Sequence, residues 1–143
     1  MTITAQERAE KSAAAMSSTD KASKWVGISL DGVGPGTAVM SMDVGEHHCN
    51  GHLICHGGVI FSLADSTFAF ACNSYNEIVV AQHNMISYIA PAKAGDRLTA
   101  TAREVSKTGR SGIYDIKVTR GDGTLIAEMR GCSRVIKGKH FEE

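Results

Sequence analysis

One segment constrains the fold more than any other in the chain. Residues 59–74 (VIFSLADSTFAFACNS) are apolar around most of a helix and suffice for about four turns. A helix with so broad an apolar side cannot lie on the surface, so the rest of the chain has to enclose it. The side chains predicted to face the core are Ile60, Phe61, Leu63, Ala64, Thr67, Phe68, Phe70 and Ala71.

Most of the remaining chain has the pattern of β-strands. Residues 36–44 alternate apolar and polar side chains, and residues 45–58 are glycine-containing and loop-like. Further strands are predicted at residues 79–89, 96–105, 113–119 and 125–135, with residues 120–123 (RGDG) as a hairpin turn between the last two. Short connections favour antiparallel pairing. We therefore predict an α+β fold, in which an antiparallel sheet wraps around one central helix.

The N-terminal region has a different, helical composition. An alanine-rich first stretch is followed by a break at residues 17–20 and by a short predicted helix at residues 21–26, which ends at Gly27. No repeat, linker or low-complexity segment marks a boundary further along. We therefore predict a single domain over residues 1–143, with residues 1–27 as its N-terminal helical segment.

Composition excludes several classes of protein. Fifteen Lys and Arg residues balance fifteen Asp and Glu residues, whereas nucleic-acid binders usually carry a basic excess. No apolar run is long enough for a membrane span, and the first twenty residues lack the pattern of a secretory signal. We therefore expect a cytoplasmic protein without nucleic-acid or membrane partners, whose four cysteines stay reduced.

The face of the central helix opposite the core carries one acid among small residues. Asp65 lies there with Gly58, Ser62, Ser66 and Ala69. Aspartate is a poor helix former, and burial beside apolar groups raises the pKa of a carboxyl unless it is paired. Two interpretations are open from the residues alone: a functional acid, or a carboxylate that faces water or bonds the neighbouring serines.

Two glycines, Gly57 and Gly58, precede the predicted helix directly. The first amides of a helix have no internal partners and point outward with partial positive charge, and glycines leave them accessible to a ligand oxygen. Such amides can form an oxyanion hole. The alternative is a plain junction between loop and helix.

A cluster of histidines and cysteines in the loop invites a metal interpretation, but its spacing matches no common zinc pattern. We expect no metal. Instead, His56 could position the glycine loop, and Asn50 could donate an amide hydrogen bond to a substrate carbonyl. The cations near strand turns could meet a phosphate-bearing substrate or simply be solvated. The loop cluster comprises His47, His48, Cys49, His52, Cys55 and His56, and the cations are Lys93, Arg97, Lys107 and Arg110.

Residues 50–65 (NGHLICHGGVIFSLAD) resemble the signature of hotdog-fold acyl-CoA thioesterases, most closely the phenylacetic acid degradation branch. Residues 66–74, Pro91, 94–96 and 112–116 fit that branch too, and the resemblance spans roughly residues 36–135. It implies hydrolysis of an aryl-acetyl-CoA thioester, such as phenylacetyl-CoA or hydroxyphenylacetyl-CoA, with no cofactor besides the coenzyme A of the substrate. It also implies a homodimer with joined sheets and interfacial active sites, and a homotetramer made of two such dimers.

The resemblance assigns roles to individual residues. It implies Asp65 as general base or nucleophile, the Gly57 amide as the group that polarises the thioester carbonyl, and Asn50 as a partner of the thioester or of Asp65. Asn50, His56 and Gly57 of one chain would face Asp65 of the other. Some relatives orient the water with a serine near the position of Gln82, so that role is unassigned here. The candidate substrate-binding residues are Gly58, Ser66, Gln82, Lys107 and Arg110.

Two other functions fit the residues. A hydratase or dehydratase acting on an acyl-CoA would use a histidine–carboxylate pair, for which His56 is the nearby histidine. A non-catalytic acyl-CoA-binding module would bind the ligand without turnover, and a metal-sensing variant of it would hold zinc or copper.

Overall fold

A computed structural model describes residues 2–143 of the protein. Two helices, α1 and α2, precede two strands, β1 and β2; a 3₁₀ turn and the helix α3 follow, and then four strands, β3 to β6. The bounds are α1 Ala5–Ser17, α2 Lys21–Val26, β1 Ser29–Gly34, β2 Thr37–Asp43, the 3₁₀ turn Glu46–His48, α3 Gly57–Cys72, β3 Val79–Tyr88, β4 Arg97–Thr108, β5 Ser111–Arg120 and β6 Leu125–Val135.

The six strands form one antiparallel sheet, in the order β1-β2-β4-β5-β6-β3, around α3. The predicted fold class is therefore confirmed. The sheet contains one strand that the sequence did not predict, β1 (SLDGVG), whose two glycines and register shift between Leu30 and Gly32 weaken its alternation. Strand β3 pairs with β6 rather than with its sequence neighbour β4, because β4 already lies between β2 and β5.

Helix α3 contributes most of its apolar side to the core, as predicted. Ile60, Leu63, Phe68 and the other predicted core residues are at most 4% exposed, with the exception of Phe61. Phe61 is half-buried and packs against the core from the border of the apolar side. Phe68 packs against Gly131 of β6, where an added Cβ would come within 2.8 Å of the ring.

Strand β3 lies at one edge of the sheet and is mostly exposed, with Val79 as its one buried residue. Its outer edge offers unpaired backbone groups, which makes it a ready template for pairing with another strand. None of the helices among residues 2–143 is long and apolar enough to cross a membrane.

Candidate active site

The first turn of α3 presents one bare amide. His56 is the N-cap: its carbonyl accepts from Val59 and Ile60, and its Nδ1 accepts from the Gly58 amide at 2.8 Å. The Gly57 amide donates to no acceptor among residues 2–143. An unpartnered amide at the positive end of a helix is the group that an oxyanion hole requires.

Tyr88, at the end of β3, fixes the position of this turn. Its hydroxyl donates to the Gly57 carbonyl at 2.8 Å. A Cβ added to Gly57 would lie 3.1 Å from the Tyr88 ring, so the ring would have to shift by a few tenths of an ångström to accommodate it. The Tyr88 hydroxyl therefore holds the peptide group that follows the free Gly57 amide.

A cavity of about 430 Å³ opens beside Gly57. Two side chains with hydrogen-bonding groups, Asn50 and Tyr88, lie on the wall of this cavity. The Oδ1 atom of Asn50 accepts from the His52 amide at 2.9 Å, and the NH₂ group of Asn50 has no acceptor among residues 2–143. The cavity thus places two hydrogen-bond donors, Asn50 and Gly57, against an apolar lining. That lining comprises Ile54, Cys55, Ile60, the ring of Tyr88, Ile89, Ala90 and Pro91.

Asp65 lies further along the same face of α3 and is half-buried. Its Oδ1 accepts a hydrogen bond of 2.9 Å from Nδ2 of Asn84. Burial raises the pKa of Asp65, and the Asn84 amide partly offsets this rise. The interpretation as a local serine contact is wrong, because Ser62 donates to the Gly58 carbonyl and the Ser66 hydroxyl lies 3.2 Å from that of Ser23.

Asn84 is a site residue that was not predicted from the sequence. The signal was the period of the strand: Asn84, Ile86 and Tyr88 alternate along β3 on the side that faces α3. Asn84 and Tyr88 are about 13 Å apart along a strand, and Asp65 and Gly57 are about 12 Å apart along a helix. Because these two spacings match, Asn84 and Tyr88 of β3 can contact Asp65 and Gly57 of α3 at the same time.

That spacing also separates the two groups within one chain. A carboxylate and an amide about 12 Å apart along a helix axis cannot both contact one carbonyl group. The structure therefore places Gly57 with Asn50 and His56 at one end of α3, and Asp65 with Asn84 two turns away.

The predicted substrate-binding residues are dispersed. Gly58 is exposed at the start of α3, and Gln82 is exposed at a bulge of β3 between Ala81 and His83. Lys107 pairs with Glu77 at 3.1 Å, and Arg110 is exposed in the turn after β4. None of these four residues, nor Ser66, lines the cavity beside Gly57. Their substrate-binding roles stay predictions.

The histidines and cysteines of the loop are placed as structural or surface groups. His48 is buried; its Nδ1 accepts from the Gly45 amide, and its Nε2 lies 2.7 Å from the Val26 carbonyl. Burial raises the pKa of Cys55 to about 11 and that of Cys72 to about 12, which keeps both as thiols near neutral pH. Among residues 2–143, no group of three His, Cys, Asp or Glu side chains could hold a metal ion.

Comparison with known proteins identifies the family. A profile of the thioesterase superfamily matches residues 52–127. The chain belongs to the thioesterase superfamily. The matched segment of this thioesterase contains His56, Gly57 and Asp65, together with Asn84 and Tyr88, so both ends of α3 and their supporting strand lie within it.

Two relatives resemble this thioesterase over most of its length. The acyl-coenzyme A thioesterase PaaI of Escherichia coli is 40% identical over 131 residues, covering 92% of this chain and 94% of the relative. The structure of the E. coli PaaI protein from the phenylacetic acid degradation operon superposes with a TM-score of 0.93 at 39% identity, covering 95% and 99%. A Thermus thermophilus protein superposes at 0.79 with 33% identity, covering 82% and 98%.

Proposed function

We propose that this thioesterase hydrolyses an acyl-CoA to the free acid and coenzyme A. The observation that carries the proposal is the pairing of a half-buried carboxylate, Asp65, with a helix whose first amide, Gly57, is free to bind an oxyanion. The E. coli relative named as an acyl-coenzyme A thioesterase supports the substrate class.

The chemistry needs one base or nucleophile and one set of oxyanion donors. The thioester carbonyl carbon is attacked, negative charge develops on its oxygen, and the coenzyme A thiolate leaves. Gly57 donates to the developing oxyanion, and Asn50, on the wall of the same cavity, supplies a second donor. Asp65 attacks directly or takes a proton from water; its raised pKa makes it the stronger base for the second route.

The active site is proposed to form between two chains. Because Asp65 and Gly57 of one chain are about 12 Å apart along α3, a thioester can bridge them only if they come from different copies. The free edge of β3 supports this arrangement, since two such edges can pair into one continuous sheet, and Val80 and Met85 on it are 44% and 63% exposed. Assembly of two dimers into a tetramer stays a prediction, as does a cytoplasmic location.

The proposed acyl group is an aryl-acetyl group, as in phenylacetyl-CoA or hydroxyphenylacetyl-CoA. The cavity beside Gly57 supports this choice: its lining is mainly aliphatic, with the half-exposed Tyr88 ring on one side. The E. coli PaaI protein comes from a phenylacetic acid degradation operon.

A panel of acyl-CoAs tests the proposal. We expect release of free coenzyme A thiol from the wild-type protein, with the highest kcat/KM for aryl-acetyl thioesters and lower values for aliphatic chains. The Asp65→Asn variant supplies the inactive control, and exhaustive dialysis against a chelator should leave the activity unchanged, since no metal is proposed. Absence of thiol release from every substrate, together with measurable binding, would favour a non-catalytic acyl-CoA-binding module.

The hydratase alternative lacks its histidine–carboxylate pair within the chain. His56 Nδ1 accepts from the Gly58 amide, and no hydrogen bond among residues 2–143 joins His56 to a carboxylate. Incubation with an enoyl-CoA tests this alternative directly, because a thioesterase leaves the absorbance of the double bond unchanged and a hydratase removes it.

A further inference from the structure

We propose that Asn84 is a positioning residue for the Asp65 carboxylate: its amide holds one carboxylate oxygen and so directs the other towards the substrate. This inference rests on the proposed thioesterase function. It adds to that function a residue on β3 that acts through Asp65, without contacting the thioester itself.

The contacts of Asp65 make Asn84 the group that fixes its orientation. The 2.9 Å hydrogen bond from Asn84 Nδ2 is the one side-chain bond that Asp65 makes among residues 2–143, and no ion pair in that part of the chain includes it. The hydroxyls one turn away are engaged elsewhere, Ser62 with the Gly58 carbonyl and Ser66 near Ser23. Without Asn84, the carboxylate would have no directional partner in its own chain.

The position of Asn84 is unfavourable for stability alone. Asparagine is depleted in strands, and the Oδ1 atom of Asn84 is buried with no hydrogen-bond donor among residues 2–143. An aliphatic side chain would pack opposite Gly131 of β6 without leaving a buried acceptor unpaired. A locally unfavourable residue that contacts the one acid of the helix face indicates a functional role.

A neutral amide also suits the chemistry better than a charged partner. An Arg or Lys in this place would strongly lower the pKa of Asp65 and weaken it as a base, whereas an apolar residue would leave burial unopposed. The amide keeps the carboxylate oriented while its pKa stays raised.

Within one chain, few titratable groups face Asp65. Burial raises the pKa of the Cys72 thiol, on the same helix, to about 12, so this thiol stays neutral in the assay range. His83 neighbours Asn84 on β3 but projects to the opposite side of the strand. Four acids on or beside the elements around α3 have other partners. They are Asp20 at the N-cap of α2 with Ser23, Asp43 of β2 with Arg97, Glu104 of β4 with Tyr75 and Tyr114, and Asp115 of β5 with Arg130.

The test compares Asn84→Leu with the wild type in the full-length protein, using the best substrate of the panel. We expect kcat to fall by about 10- to 100-fold, the size of a lost hydrogen bond to a charged group, with KM changed less than about threefold. The acid limb of kcat/KM against pH should move to higher pH, because burial still raises the pKa of Asp65 while the amide no longer offsets it. Thermal melting checks that the variant is folded before its kinetics are read.

A second variant and a control complete the design. Asn84→Asp keeps the shape of the side chain and sets two carboxyl groups together, which should move the acid limb further to higher pH than Asn84→Leu does. Ser87→Ala, on the same strand but the opposite side, should keep the wild-type limb and kcat.

The outcomes separate this inference from the function on which it rests. An active wild type whose acid limb and kcat are unchanged in both folded Asn84 variants overturns the inference alone. If Asn84→Leu fails to fold, the acid limb of kcat/KM in Asn84→Asp is the deciding measurement, and an unchanged limb overturns the inference. A wild type that releases no thiol from any substrate of the panel overturns both.

Discussion

At the scale of single residues, the site is a compromise between stability and chemistry. Asp65 is half-buried with one neutral donor, and burial raises its pKa, so the folded chain binds the Asp65 proton more tightly than the unfolded chain does. A group with a raised folded pKa favours folding below its unfolded pKa, and this contribution disappears as the pH rises through the folded pKa. Above the folded pKa, the protein is therefore less stable than it would be with a neutral group at position 65.

Asp65→Asn should separate the two effects. We expect kcat to fall by about 100- to 10,000-fold, as for loss of a general base. The melting temperature at neutral pH should stay equal or rise, because the variant has no carboxylate to bury at this position. Calorimetry at this pH and at acid pH checks the sign: the advantage of the variant should shrink in acid, where the wild-type carboxyl is protonated. A variant that melts clearly lower at neutral pH would contradict this account.

At the scale of elements, the sequence predicted what local patterns determine. The apolar stripe located α3 and its two faces, and the RGDG turn located the β5–β6 hairpin, with Gly123 at a φ of 88°. Two features were not predicted from the sequence: strand β1, whose glycine-rich segment pairs with β2, and the place of β3 beside β6. The Asp65–Asn84 contact depends on that long-range placement, so no local pattern could supply it.

The start of α3 provides an element-scale prediction. His56→Ala removes the acceptor of the Gly58 amide and should reduce the free energy of unfolding by about 1 kcal/mol, the usual value of an N-cap. His56→Asn should recover most of this loss, because asparagine caps well. Urea unfolding measures both, with the exposed His52→Ala as a matched control. Equal stability of the two alanine variants would show that the His56 cap contributes nothing.

At the scale of the whole molecule, each chain carries two incomplete halves of a site. One end of α3 offers the free Gly57 amide and the Asn50 side chain beside the cavity; the face two turns along offers Asp65 held by Asn84. Both are supported by β3, which is also the free edge of the sheet. A contact between two copies along β3 would therefore join complementary halves and stabilise the strand that orients them.

This arrangement predicts complementation between two inactive chains. Asp65→Asn lacks the base, and Gly57→Ala forces a Cβ against the Tyr88 ring beside the oxyanion amide. Refolded together in equal amounts, half of the dimers pair one chain of each kind, and one of their two sites is intact, so activity should reach about a quarter of the wild-type value. Refolding each variant alone gives the baseline. A site contained in one chain would show no recovery in the mixture, since every chain would then carry a defect in its own site.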